Sequence, residues 1–175
     1  MNLIEFKDKP DLSTPINKKN LNHNFNEIKE KIEEMDTKLT PNYIIATSTD
    51  NQTLSSNYIV SLNKVVESCG DKLTLANGKI VIGAGVSKIR ASGSIFVNAP
   101  SSSGYVWGAT RKGTTHIGSN ITYASSGTSF MSSSIPANII SVQEGDTIDL
   151  MADSTCGGVT RSGRGNTWLC VEVIE

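Results

Sequence analysis

Six apolar residues, Leu21, Phe25, Ile28, Ile32, Met35 and Leu39, step along the chain by four, three, four, three and four. That is a heptad seam. Phe25, Ile32 and Leu39 fall at position a, Leu21, Ile28 and Met35 at d, and Asn, Lys, Glu and Asp fill most of the positions between. The spacing predicts a helix over residues 14–41. Thr14 can cap free N–H groups, Pro15 suits the first helical position and Asn17 is a second capping candidate. Pro41 ends the helix. Bulky or β-branched residues at both a and d favour three strands or more over two. An amphipathic helix packed on its own head also shows an apolar stripe, but a broader one than this seam. The seam spans about 28 Å at helical rise. A helix this short is marginal alone, so the rest of the chain must supply most of any assembly energy.

Composition changes at the same proline. Residues 1–41 hold 15 charged side chains, and the remaining 134 residues hold 18. Residues 1–13 read as an extended segment, 42–56 as a connector with a strand at Tyr43–Thr47, and 57–175 as a β head. Residues 58–66 alternate apolar and polar, as do 87–97 and 104–112. Asn77-Gly78 between two alternating runs is the strongest hairpin signal in the chain, because both residues accept positive φ. Residues 113–134, dense in Gly and Ser, suggest two short strands around His116 and Tyr123. Residues 139–142 precede a Glu-Gly-Asp turn, and 146–152 form a strand. A polar loop over 153–165 leads to a last strand over 167–174, with Leu169, Val171 and Val173 on one face. Eight to ten short strands with no helical pattern after Pro41 predict a mainly β molecule. The expected architecture is an antiparallel jelly-roll β-sandwich preceded by a short N-terminal coiled-coil helix.

Several classes of function find no support. The net charge of −1 sets up no field that would draw the chain to nucleic acid or an anionic membrane. No signal segment and no membrane-spanning apolar run can be read, so the expected product is soluble and made in a cytoplasm. Cys69, Cys156 and Cys170 are widely spaced, without a CxxC pair, and read as free thiols rather than a zinc site. Nucleophile-elbow, P-loop, HExxH and EF-hand patterns are absent. Asp146, Asp149 and Asp153 read as solvent-edge carboxylates rather than a cation site. Residues 42–175 hold 9 acidic residues, but nothing singles out a glycosidase pair. The expectation is a non-enzymatic protein without cofactor or metal.

Binding candidates lie in the middle of the head. Tyr105 and Trp107 have i, i+2 spacing and share one face of a strand, where ring faces can stack on the C–H surface of a sugar. Equally, they fit a core or a subunit interface. Arg111, His116 and Tyr123 follow in a Ser/Gly-rich setting. Arg161 and Arg164 form a basic loop tip able to meet a phosphate-bearing polymer such as teichoic acid, or simply to solubilise a flexible loop. Trp168 points opposite to Leu169 and Val171.

Two longer stretches carry resemblances. The run Phe6-Lys-Asp-Lys-Pro-Asp-Leu-Ser-Thr-Pro-Ile-Asn-Lys-Lys-Asn-Leu-Asn-His resembles the segment that precedes a helix in tail and baseplate proteins of phages and prophages of Gram-positive bacteria. The run Val65-Val-Glu-Ser-Cys-Gly-Asp-Lys-Leu-Thr-Leu-Ala-Asn-Gly-Lys-Ile-Val-Ile-Gly is similar to the bacterial and phage branch of the complement-head/tumour-necrosis-factor-like jelly roll. Ser87-Lys-Ile-Arg-Ala-Ser, Glu144-Gly-Asp-Thr-Ile-Asp-Leu and Leu169-Cys-Val-Glu-Val-Ile continue that likeness. The resemblance implies a homotrimer at a phage tail tip or fibre. Heads would pack about a three-fold axis, helices would coil along it, and the N-terminal segment would contact other tail or baseplate proteins. A host cell-wall glycan or teichoic acid is the implied ligand class. A purely structural fibre cap or tail-decoration subunit is the alternative, and a wall-polymer hydrolase a distant third.

Overall fold

The computed structural model describes residues 18–39, 41–98, 100, 102–125, 127–163 and 165–175; within the helix, side chains are described for 22–35. The chain divides into two compact units, Met1–Thr40 and Pro41–Glu175. In the first, helix α1 spans Lys18–Leu39. Phe25, Ile28, Ile32 and Met35 are each 53–63 % exposed in the single chain. His23 Nε2 lies 3.3 Å from Glu27 Oε1, and Lys29 pairs with Glu33, each joining successive turns at i, i+4. Residues 1–17, with Thr14 and Pro15, and the side chains of Leu21 and Leu39 lie outside the described set.

Among its described residues the second unit has twelve strands: β1 (Tyr43–Thr47), β2 (Tyr58–Val60), β3 (Lys64–Cys69), β4 (Leu73–Ala76), β5 (Lys79–Ile82), β6 (Lys88–Asn98), β7 (Gly104–Lys112), β8 (Thr115–Ala124), β9 (Phe130–Ser141), β10 (Thr147–Ser154), β11 (Val159–Thr160) and β12 (Trp168–Val173). They form two six-stranded antiparallel sheets. The first runs β3–β1–β12–β6–β9, with β11 beside β6 beyond the start of β12. The second runs β4–β5–β10–β7–β8, with β2 following β5 along the same edge of β10. The result is a jelly-roll sandwich, as the strand pattern predicts.

Period-two alternation decides what lies inside. Ile148, Leu150 and Ala152 of β10 meet Ile89, Ala91, Ile95 and Val97 of β6 and Leu169 and Val171 of β12 in one continuous core. Burying each large aliphatic side chain contributes about 1.5–3 kcal/mol before the entropy of ordering is subtracted. Gly108 of β7 faces this core. A Cβ there would stand 3.1 Å from Ile95 Cδ1 and 3.1 Å from Ser133 Oγ, so glycine lets the sheets close at this point.

Local details depart from the sequence reading in instructive ways. The stretch 58–66 is not one strand: β2 pairs with β10 in the second sheet, and β3 pairs with β1 in the first. Between them the chain crosses the sandwich, Leu62 fills the core, and the Gln52 amide clamps both the N–H and the carbonyl of Ser61. Residues 42–56 are part of the head rather than a connector. β1 lies inside the first sheet, Leu54 is buried, and Thr53 bridges Val159. The run 113–134 holds all of β8 and the start of β9; the polar run 153–165 includes β11. Ser and Thr side chains of the run 113–134 stitch strands together. Ser133 Oγ donates to the Asn120 carbonyl at 2.9 Å, and Thr122 Oγ1 to the Ser132 carbonyl at 2.9 Å.

The β4–β5 turn has the expected left-handed backbone, with φ of 49° at Asn77 and 77° at Gly78. A Cβ on Gly78 would also sit 3.3 Å from Ser61 Oγ. Gly78→Ala is therefore expected to cost about 1–2 kcal/mol. Denaturant unfolding would show this as a lower midpoint with an unchanged slope.

Candidate functional site

The outward face of β7 carries Tyr105, Trp107, Ala109 and Arg111, because Val106, Gly108 and Thr110 take the buried positions. Pairing then sets the neighbours. On one side β10 places Asp153 opposite Trp107 and Asp149 opposite Arg111. On the other, β8 places Tyr123 opposite Tyr105 and Ile121 opposite Trp107. Between Thr110 and Arg111 the β7–β8 register shifts, so that Arg111 faces His116. A straight ladder would put Ile117 there. The bulge turns Ile117 toward the core and brings His116 to the outer face.

Two edge-to-face ring pairs follow. Trp107 and His116 have centroids 4.7 Å apart at 71°. Tyr105 and Tyr123 have centroids 6.3 Å apart at 70°. Tyr105, Trp107, Ser119, Asn120, Ile121 and Asp153 line an open recess of about 600 Å³. Its lining combines aromatic rings, a serine, an isoleucine and a carboxylate. The Asp153 carboxylate accepts from the Tyr105 hydroxyl at 3.4 Å and from the Asn57 N–H at 3.3 Å. Both distances are at the long limit for hydrogen bonds. The charge of Asp153, with lesser contributions from burial, their hydrogen bond and Tyr123, raises the Tyr105 phenol above the usual tyrosine range.

The residues singled out from sequence divide into groups. Tyr105 and Trp107 line the recess, and His116 and Tyr123 flank them. Arg111 does not serve it. Its Nε and Nη2 hold the two oxygens of Asp149 at 2.8 and 3.1 Å, its Nη1 meets Met151 Sδ, and Lys79 Nζ approaches Asp149 at 3.2 Å. Asp149 is thus no solvent-edge carboxylate: its side chain is wholly buried beneath those two cations. Arg161 is exposed on the loop after β11, and the adjoining Ser162 and Gly163 line a separate recess with Lys64. Arg164 lies outside the described residues. Among the described residues no cluster of His, Cys, Asp or Glu is arranged to hold a metal.

Sequence reasoning missed Asp153, Ser119 and Asn120 as parts of one site, since β10 and β8 bring them from two separate stretches to the aromatics of β7. One signal was available: Asp153 continues the outward row Asp149–Met151–Asp153 of β10, next to the strand carrying the aromatics. The opposite sheet shows a different outer face. Ile45, Ser92, Trp168 and Cys170 line a recess of about 320 Å³, and Phe130 stacks on Phe96 at 5.7 Å while staying largely exposed.

No protein-family model matches this chain, and no curated protein is similar to it in sequence. Solved structures do match its shape. Murine APRIL superposes with a TM-score of 0.59 at 9% identity, over 77% of this chain and 99% of that one. Eiger TNF from S. frugiperda superposes with a TM-score of 0.59 at 7% identity, over 78% of this chain and 94% of that one. At such identities the likeness shows the fold, a TNF-like jelly roll.

Two outcomes follow from the geometry. Arg111→Ala leaves Asp149 buried with Lys79 alone and is expected to cost about 3 kcal/mol in denaturant unfolding. Asp153→Asn should lower the titration of Tyr105 toward the ordinary tyrosine range in an ultraviolet pH titration, with Tyr105→Phe identifying the signal. In the parent, Tyr105 stays protonated when folded at a pH where it ionises unfolded. Its contribution therefore makes stability fall as pH rises past the unfolded tyrosine pKa.

Proposed function

We propose that this chain is a homotrimeric virion protein, a tail-tip or fibre subunit of a phage of Gram-positive bacteria, whose head recognises a host cell-surface saccharide. The observation that carries the recognition half is the recess holding Tyr105 and Trp107 beside Asp153, Ser119 and Asn120. Sugar rings present an apolar C–H face and a rim of hydroxyls, and this recess offers ring faces with polar groups at their edge.

The assembly half rests on surfaces elsewhere. The helix bears an exposed heptad seam at Phe25, Ile28, Ile32 and Met35. The first sheet's outer face carries Ile45, Trp168 and Cys170 around a recess, with exposed Phe130 and Ile139 on β9. Ion pairs between Arg90 and Glu172 and between Lys88 and Glu175 also lie on that sheet. In this reading, copies meet through the first sheet and through the seams, and the recess on the second sheet stays open to ligand. The TNF-like fold and the resemblance of the N-terminal segment to phage tail proteins support the same reading. Residues 1–13 would join other tail or baseplate proteins during assembly in the host cytoplasm, and no catalytic step is assigned.

One observation favours a second reading, a fibre cap without ligand: Trp107 and Tyr105 already pack against His116 and Tyr123. Trp107→Ala separates the two. The saccharide reading predicts at least about tenfold weaker adsorption to host cells or purified wall glycan with the oligomer intact, an energy of the size of a lost aromatic contact. Unchanged adsorption, or loss only through unfolding, would favour the cap. Ile32→Asp should weaken the trimer by placing like charges in the buried seam; an unchanged sedimentation profile would remove the seam from the assembly.

A further inference from the structure

The charge pattern around the recess selects among saccharides. Among the described residues, Asp153 is the only charged group lining it. Its two oxygens accept one long hydrogen bond each, from Asn57 and Tyr105, and among the described residues no ion pair engages it. The cations of the same sheet face are engaged elsewhere, since Arg111 grips Asp149 and Lys79 approaches it. Trp107 and Tyr105 present electron-rich rings next to this under-bonded carboxylate. A carboxylate beside aromatic faces favours a cation through charge-assisted hydrogen bonding and cation–π attraction, and it disfavours an anion. Ser119, on the outward row of β8, adds a neutral partner for a hydroxyl group.

Resting on the saccharide reading above, we infer that the recess takes an amino sugar whose amine is unacylated, with its ammonium on Asp153 and its C–H face on the aromatic rings. A glucosamine-type unit in a polymer meets that description. A phosphate- or carboxylate-rich polymer without free amines does not, so the teichoic-acid phosphate is not the group recognised here.

The test is calorimetric titration of the full chain with a β-linked glucosamine tetrasaccharide, its fully N-acetylated counterpart, and a uronic-acid oligomer of the same length. The glucosamine oligomer should bind about tenfold or more tightly than the acetylated one, the size expected of one charge-assisted hydrogen bond. The uronic-acid oligomer should bind weakest. Asp153→Asn, nearly isosteric, should abolish the preference for the free amine, while Trp107→Phe should weaken both hexosamine oligomers and keep the preference. Equal or tighter binding of the acetylated oligomer would overturn the inference and leave the saccharide reading standing. So would a preference that survives Asp153→Asn, because it would then reflect general attraction of a cationic polymer. If none of the three oligomers binds, the inference fails; if wall glycan also fails to bind, the saccharide reading fails with it.

Discussion

Burial of one side-chain row from each sheet is the interaction on which the rest of this head depends. Ile148, Leu150 and Ala152 commit β10 to the core with one face. Strand geometry then leaves no freedom over the other face: Asp149, Met151 and Asp153 must point outward. Val106 and Thr110 impose the same choice on β7 and turn out Tyr105, Trp107 and Arg111. A slip of one residue in either strand would drive two carboxylates or two aromatic rings into the core and expose the aliphatic row. The recess is thus a by-product of packing that is fixed for other reasons.

The two carboxylates on β10 show how environment separates groups that look alike. Asp149 lies opposite Arg111 and is closed over by Arg111 and Lys79, with no exposed side-chain surface. The desolvation cost of such a group is met only by close, well-aligned partners, so its role is structural. Asp153, four residues on, lies opposite Trp107 and has two long hydrogen bonds instead of two cations. It keeps its charge available to whatever enters the recess. Both sit on the same face of the same strand, and their cross-strand partners alone give them different work.

What could be read from the sequence was what is encoded locally. The heptad step, the Asn77-Gly78 turn and the alternation along 104–112 each carry their meaning within a few residues, and α1, the β4–β5 hairpin and β7 follow from them. The shared face of Tyr105 and Trp107 belongs with these. What could not be read depends on pairing. The capture of Arg111 by Asp149 needs the β7–β10 register. The arrival of His116 against Trp107 needs the bulge at Ile117, which no composition signal marks. The crossing at Leu62 hides inside an alternating run because both strands beside it follow the same period. Ser132 and Ser133 of β9, and Thr122 of β8, read as turn formers in isolation, yet their hydroxyls or carbonyls bind β8 to β9 at the edge of the sandwich. Asp149 reads as a solvent-edge carboxylate for the same reason: only strand pairing brings Arg111 and Lys79 over it.

In the proposed assembly the first sheet and the helix seam meet between copies, and the second sheet meets ligand. That division is tested most directly by the solution mass of the full chain, measured by light scattering over a range of concentrations. A mass three times that of the 18.7 kDa chain, stable on dilution, is the predicted result. A monomer at all concentrations would contradict it, leaving the seam and the first-sheet face without the partner that explains their exposure.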